Sequence, residues 1–225
     1  MADVWPLYRD IRESFLDQLE ALPADSADTM VPMCPAWRVV DVVSHVCGLN
    51  ADLAGGMRAG LGSEESTARQ VAERADRMLA EVAGEWRSYS DAIESLYEEI
   101  PAMGIALVAD LVMHVHDVQH ALGLEIDREG PGVAVAATRY VEVLTANVAE
   151  RLGTEIEVNL IDAETSAVGS VELRLDATSY DFLRSIGTRR SRRQVEALAW
   201  SGDPTAVLDE AWRVYGEFPT EDVSA

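Results

Sequence analysis

Three of the chain's four histidines and two aspartates fall in one short run, Ile105 to Leu124, IALVADLVMHVHDVQHALGL. On a helix, residues four and seven apart share a face, so Asp110, His114 and Asp117 form one stripe of carboxylate and imidazole on an otherwise apolar surface. His116 and His120, also four apart, form a second stripe on another side. Burying such groups without partners costs several kcal/mol, on the order of 2–7 for each polar group. The run therefore calls for a bound metal or a proton network.

The fourth histidine, His45, lies in DVVSHVCGL, where helical spacing puts Asp41, Gly48, Leu49 and Asp52 beside it. If this helix runs antiparallel to the Ile105–Leu124 helix in a bundle, His45 comes opposite Asp110 and His114. Two imidazoles and a carboxylate are a ligand set zinc accepts, with a fourth position open for water or substrate. Gly48 would leave room for a ligand to approach. Spacing alone leaves two readings open, since a core histidine can equally be a hydrogen-bonded structural group, although helix-borne ligand pairs recur in bundle sites. Cys47, two residues from His45, points to the opposite side of its helix and reads as a small buried hydrophobe.

The elements that must position these residues follow from hydrophobic period. Val4 to Leu22 is an amphipathic helix with Leu7, Ile11, Phe15 and Leu19 on one face. Pro32 and Pro35 bracket Met33 and Cys34 and forbid helix there. A second helix begins near Trp37 and frays at Gly55 and Gly56. A long charged helical pattern runs from about Ser66 to Ile100, with a possible break near Gly84, and is stopped by Pro101. The histidine-bearing helix ends at Gly123, a C-cap position, and a fifth helix fits Val133 to Leu152. The period then changes to two: Glu155–Leu160 and Ser170–Leu175 each alternate, with DAETSAVG between them as a hairpin loop. Asp176–Ile186, Ser191–Ala199 and Thr205–Tyr215 return to helix. The expected architecture is α+β, with a helical bundle over residues 1–153 and a small mixed α/β piece over 154–225 that needs a neighbour to lean on.

Composition narrows the partners. With 18 basic and 40 acidic residues the 225-residue chain carries a formal net charge of -22. Such a surface repels phosphate backbones and anionic lipid, which argues against nucleic-acid and membrane partners. No stretch has the ~18 consecutive apolar residues of a membrane span, and the N-terminus lacks the cationic start and apolar run of a signal peptide. Two cysteines are too few for a disulfide framework. The expectation is a cytoplasmic protein, monomer or homodimer, acting on a small molecule.

PAWRVVDVVSHVCGL, followed some way on by ADLVMHVHDVQHALGL, resembles the mycothiol-dependent maleylpyruvate isomerase family of actinobacteria, within the wider DinB-like four-helix metalloproteins. The family pattern is a Trp-led helix with H-x-x-G, then E-x-x-x-H-x-x-D running into A-L-G. Here those positions are Trp37, His45 and Gly48, then Asp110, His114, Asp117 and Ala121-Leu122-Gly123. RSIGTRRSRRQVEALAWSGDP resembles the family's C-terminal Gly-Arg-x-Ser turn with a later Gly-Asp, except that Thr188 stands between Gly187 and Arg189.

The resemblance implies a DinB-like four-helix bundle with His45, Asp110 and His114 as ligands of Zn2+ or another divalent metal. Asp110 departs from the family's glutamate, by one methylene. His116 and His120 offer the alternative H-x-x-x-H register of the broader superfamily, but the Asp117 and Ala-Leu-Gly landmarks select His114. The resemblance further implies mycothiol or a similar low-molecular-weight thiol as cofactor, and a small electrophile that is isomerised or conjugated. Asp117 and Arg189 are then candidates for roles in catalysis, and Trp37, Gly48 and Arg190 for holding the thiol. For the run Arg189-Arg190-Ser191-Arg192-Arg193 a solvated helix start is the alternative to a pocket lip that grips a carboxylate by bidentate bonds. Two other functions fit the same residues: a non-catalytic helical binding protein with a degenerate metal site, and a zinc hydrolase using a metal-activated water.

Overall fold

The computed structural model describes residues 4–163, 171–212 and 216–223. The chain divides into two compact units, Met1–Ile126 and Asp127–Ala225.

The first unit is helical: α1 Trp5–Glu20, α2 Val39–Ala54, α3 Glu64–Ala72, α4 Leu79–Ser88, α5 Ser90–Glu99 and α6 Pro101–Leu122. Helix α2 is its axis, buried on nearly every side from Val39 to Asn50, which is the signature of a helix with neighbours all round rather than on one face. It packs against α3, α4, α5 and α6, while α1 covers α4 and α6. The α4–α5 pair thus serves as one member of a four-part bundle with α1, α2 and α6. Phe15 of α1 meets Trp86 of α4 edge-to-face, centroids 6.2 Å apart, and both are buried. At the start of α2 the Asp41 carboxylate accepts the Arg38 backbone N–H at 2.9 Å and its guanidinium at 3.0–3.1 Å, satisfying an orphan donor of the first turn.

The helical pattern expected over 66–100, with a break near Gly84, is three helices. Its breaks lie at residues 73–78 and at Tyr89, and Gly84 sits inside α4. In the first break Arg74, four residues on from the buried Gln70, is itself buried. A helix does stop at Pro101, since α5 ends at Glu99 and Ile100 leaves the helical conformation; Pro101 also opens α6 as its first residue, where its missing N–H is no loss. Gly123 takes the left-handed conformation at φ 64° and closes α6 as expected, with Leu124 N–H donating to Gln119 O at 2.9 Å. Among the described residues no helix is long and apolar enough to cross a membrane.

The second unit contains α7 Pro131–Leu152, β1 Glu157–Leu160, β2 Arg174–Ala177, α8 Ser179–Ile186, α9 Arg192–Glu196, β3 Ala199–Ser201 and α10 Thr205–Glu210. Helix α7 packs on α8 and α10, so the compact units do not follow the 153/154 boundary read from the change of period. The strands form one mixed sheet in the order β1-β2-β3. β1 and β2 are parallel, with Val158 opposite Leu175, and β2 and β3 antiparallel, with Leu175 opposite Trp200. The hairpin expectation is therefore corrected. Parallel neighbours need a crossover of about a dozen residues or more, and the connection from 161 to 173 supplies that length; residues 164–170 within it lie outside the described residues. Asp176, expected in a helix, ends up in β2, and α8 starts after the Thr178 cap, whose hydroxyl accepts from Asp181 N–H at 3.0 Å. The helix expected over 191–199 stops at Glu196, and Ala199–Ser201 becomes β3. The last helix ends at Glu210; part of its expected extent, 213–215, lies outside the described residues. The core of this unit is aromatic: Trp212 meets Phe182 and Trp200 edge-on at 6.0 and 5.6 Å, and its indole N–H donates to Ser185 O at 3.1 Å.

Candidate metal centre

Helices α2 and α6 pack together and bring His45 to Asp110 and His114. Among the described residues these three form the one group of His, Cys, Asp or Glu side chains arranged to share an ion, with one donor atom of each within 4.8 Å of the others. The imidazoles of His45 and His114 meet edge-to-face, centroids 5.0 Å apart. His114 Nε2 is 3.7 Å from Asp110 Oδ1. Four tetrahedral ligands at ~2.0–2.1 Å from zinc stand roughly 3.3–3.4 Å apart, so rotation of one or two side chains closes the group on an ion. His45 is buried, whereas the Asp110 side chain keeps 29% of its surface, which leaves the centre open to solvent on the carboxylate side. The donor set and its opening thus fit a divalent metal.

Each imidazole has a second nitrogen turned away from the group. His114 Nδ1 lies 3.6 Å from Asp117 Oδ2, and Asp117 is fully buried; the same oxygen takes the Cys34 thiol at 3.9 Å. A carboxylate behind a histidine is the usual orienting partner of a metal-bound imidazole. His45 Nδ1 meets Gln70 Oε1 of α3 at 2.8 Å, and Gln70 is fully buried. No spacing rule singled out Gln70. The one local signal was Gly48, a glycine inside an apolar helix, which marks a close approach by a neighbouring element. A Cβ there would lie 2.5 Å from Gln70 Cβ, so the space at Gly48 is filled by Gln70 and is not the ligand room expected.

His116 is buried and His120 half-buried, and neither joins the three-residue group. Trp37 is half-buried, its ring 5.4 Å from that of His45. The loop below it is tied by Trp37 N–H to Cys34 O at 2.7 Å and Val31 N–H to Trp37 O at 2.9 Å. Tyr8 of α1 donates to Asn50 Oδ1 at 2.8 Å. Burial pushes its phenol up to about 12, against the pull of Asn50 and Arg12 and with a small addition from the charge of Asp110, so it supplies no base near neutrality.

Arg189 and Arg190 belong to the second unit, and both are buried rather than solvated. Arg189 Nη1 donates to Gly187 O at 2.6 Å and Arg190 Nη1 to Arg189 O at 2.9 Å, and Thr188 between Gly187 and Arg189 takes a left-handed φ of 60°. Burial lowers the pKa of Arg190, and Arg184 nearby adds to this. The solvated reading holds for Arg192 and Arg193, which are exposed and pair with Glu196 and Asp209 and with Asp222.

Cys47 is fully buried, and burial pushes its thiol up to about 12. Alkylation of the folded protein with iodoacetamide at neutral pH is expected to modify Cys34, which is half-buried, at least about a hundredfold faster than Cys47, because the thiolate is the reacting form. Peptide mass mapping over time reads the two rates, and equal rates would show that α2 opens readily.

The geometry defines a class: an α+β protein whose helical unit holds a His-Asp-His group suited to a divalent ion. Residues 8–105 match the family model of the mycothiol maleylpyruvate isomerase N-terminal domain. The match includes His45 and Gln70 and ends short of Asp110 and His114. A crystal structure of a histidine-to-alanine mutant of the mycothiol-dependent maleylpyruvate isomerase is similar to 88% of this chain over 91% of its own, with a TM-score of 0.51 and 13% identity, which is a likeness of fold. A second crystal structure, of the mycothiol-dependent maleylpyruvate isomerase, covers 82% of this chain and 88% of its own at a TM-score of 0.49 and 14% identity. No curated protein sequence matches the chain.

Proposed function

We propose that the protein is a metal-dependent, thiol-activating enzyme that uses mycothiol or a similar small thiol to isomerise an electrophilic small molecule. The observation that carries this reading is the convergence of His45, Asp110 and His114 from two helices, with donor atoms within 4.8 Å, in a chain whose residues 8–105 match the maleylpyruvate isomerase N-terminal domain model. A divalent ion held there supplies a Lewis acid that favours the thiolate over the thiol near neutral pH. His45 and His114 give neutral nitrogens, and Asp110 gives one negative charge that leaves the site net positive. Asp117 orients the His114 ring from behind. The half-buried indole of Trp37 beside His45 offers an apolar wall to a bound ligand. Addition of a thiol to an activated alkene, bond rotation and departure amounts to cis–trans isomerisation; a thiol that stays gives a conjugate.

The test starts from purified protein analysed for bound zinc, titrated with mycothiol and with simpler thiols, and assayed spectroscopically for isomerisation of maleylpyruvate. Saturable mycothiol affinity that depends on zinc, with turnover, is the expected result. Protein that holds no zinc and cannot be reconstituted overturns the reading in favour of a helical binding protein. Zinc without thiol affinity points instead to a hydrolase, and thiol consumption without isomerisation to an S-transferase.

A further inference from the structure

Behind His45 stands a chain of polar groups that the reaction itself does not require. Gln70 Oε1 meets His45 Nδ1 at 2.8 Å, Gln70 Nε2 donates to Asp52 Oδ2 at 2.7 Å, and Arg69 Nη2 donates to that same oxygen at 2.7 Å. The order of donors in this chain is decided at Asp52. Burial raises the Asp52 carboxyl, but hydrogen bonds from Arg69 and Gln70 outweigh it and hold the group below its ordinary range. An ionised carboxylate only accepts, so the Gln70 amide must present its NH2 to Asp52 and its oxygen to His45. That oxygen also only accepts. The nitrogen facing it must therefore carry a hydrogen.

We infer that Gln70 is a positioning residue: braced by Asp52 and Arg69, it fixes the hydrogen of His45 on Nδ1 and leaves the lone pair of Nε2 facing Asp110 and His114. Free imidazole in water favours the opposite tautomer, so without Gln70 the ligating nitrogen would be protonated most of the time. Gly48 is part of the same device. With any side chain there, its Cβ would stand 2.5–2.6 Å from Gln70 Cβ and Cγ, and α3 could not seat Gln70 at hydrogen-bonding distance. The H-x-x-G spacing is thus a ligand and the socket of its orienting partner one turn later. The consequence for metal affinity rests on the metal reading above; the tautomer does not.

Gln70→Met, close in volume and without a polar atom, removes the acceptor and keeps the packing on Gly48. In the metal-free full chain at a pH where the histidines are neutral, nitrogen-15 spectra of the imidazoles are expected to show His45 protonated at Nδ1 in the wild type and predominantly at Nε2 in Gln70→Met. Titration with zinc alone is expected to give an affinity about 10–100-fold weaker for Gln70→Met, the usual effect of losing an outer partner of a ligating histidine. A wild-type His45 protonated at Nε2, or a tautomer and zinc affinity unmoved by the substitution, overturns the inference. If the wild type binds no zinc, the metal reading fails by itself while the nitrogen spectra still decide the role of Gln70.

Discussion

On the proposed metal site, alanine at His45 or at His114 is expected to remove zinc binding, with a loss of more than about a hundredfold in affinity, beyond the upper end of what an outer partner contributes. Alanine at His116 or His120 leaves the affinity unchanged. The contrast follows from geometry. His45 and His114 have rings 5.0 Å apart and share the space with Asp110, whereas His116 is two positions, about 200°, round the same helix from His114. A site of three protein ligands cannot lose one and keep its coordination. Competition with a chromophoric chelator measures all four variants against the wild type. Loss of zinc in His116→Ala and His120→Ala, with retention in the other pair, would place the centre on the second stripe. Asp110→Asn belongs to the same series: it keeps the shape and removes the charge, and falls with the two histidine variants.

That stripe was legible because period and chemistry coincide on α6. An apolar helix carrying Asp110, His114 and Asp117 on one face made them candidates, but spacing alone left a structural role open, and the resemblance to the family selected His45, Asp110 and His114. What lay behind the ligands was not legible. Gln70 is 25 positions from His45, on a helix whose placement depends on the break at 73–78, and a glutamine at one position of a charged helix has no pattern of its own. Pro101 was read as a stop and α5 does end just before it; that α6 begins on the same proline was not read, because one residue can end one helix and open the next. The alternation over Glu155–Leu160 and Ser170–Leu175 marked two strands, though the second lies at Arg174–Ala177, and period two does not say whether neighbours run parallel. The length of the connection does, and thirteen positions from 161 to 173 exceed what a tight hairpin uses.

The break at 73–78 is where the site depends on the fold, and Glu85→Ala tests it. Arg74 is only 5% exposed and Glu85 16%. The guanidinium meets the carboxylate through Nε at 3.1 Å and Nη2 at 2.6 Å, and its Nη1 donates to the backbone oxygen of Gln70 at 3.0 Å. Arg74 therefore ties α4 to the end of α3 that carries the partner of His45. Removing Glu85 takes the closest carboxylate from a buried cation and leaves it Glu73 at 3.6 Å, so the expected cost lies between the ~1 kcal/mol of an exposed pair and the ~3–5 kcal/mol of a broken buried one, out of a total of roughly 5–15 kcal/mol for a domain. Urea unfolding of Glu85→Ala is expected to show that loss. The double replacement Arg74→Met with Glu85→Leu recovers most of it, since apolar side chains of similar volume serve a buried pair's position as well or better. The two variants part company at the metal. Stability returns in the double variant, but Gln70 O has lost its donor there too, so zinc affinity stays below that of the wild type. A loss under about 1 kcal/mol for Glu85→Ala, the scale of an exposed pair, would mean that water or Glu73 compensates Arg74 and that α3 is held on α2 by their direct contacts, Arg69 and Gln70 on Asp52 among them.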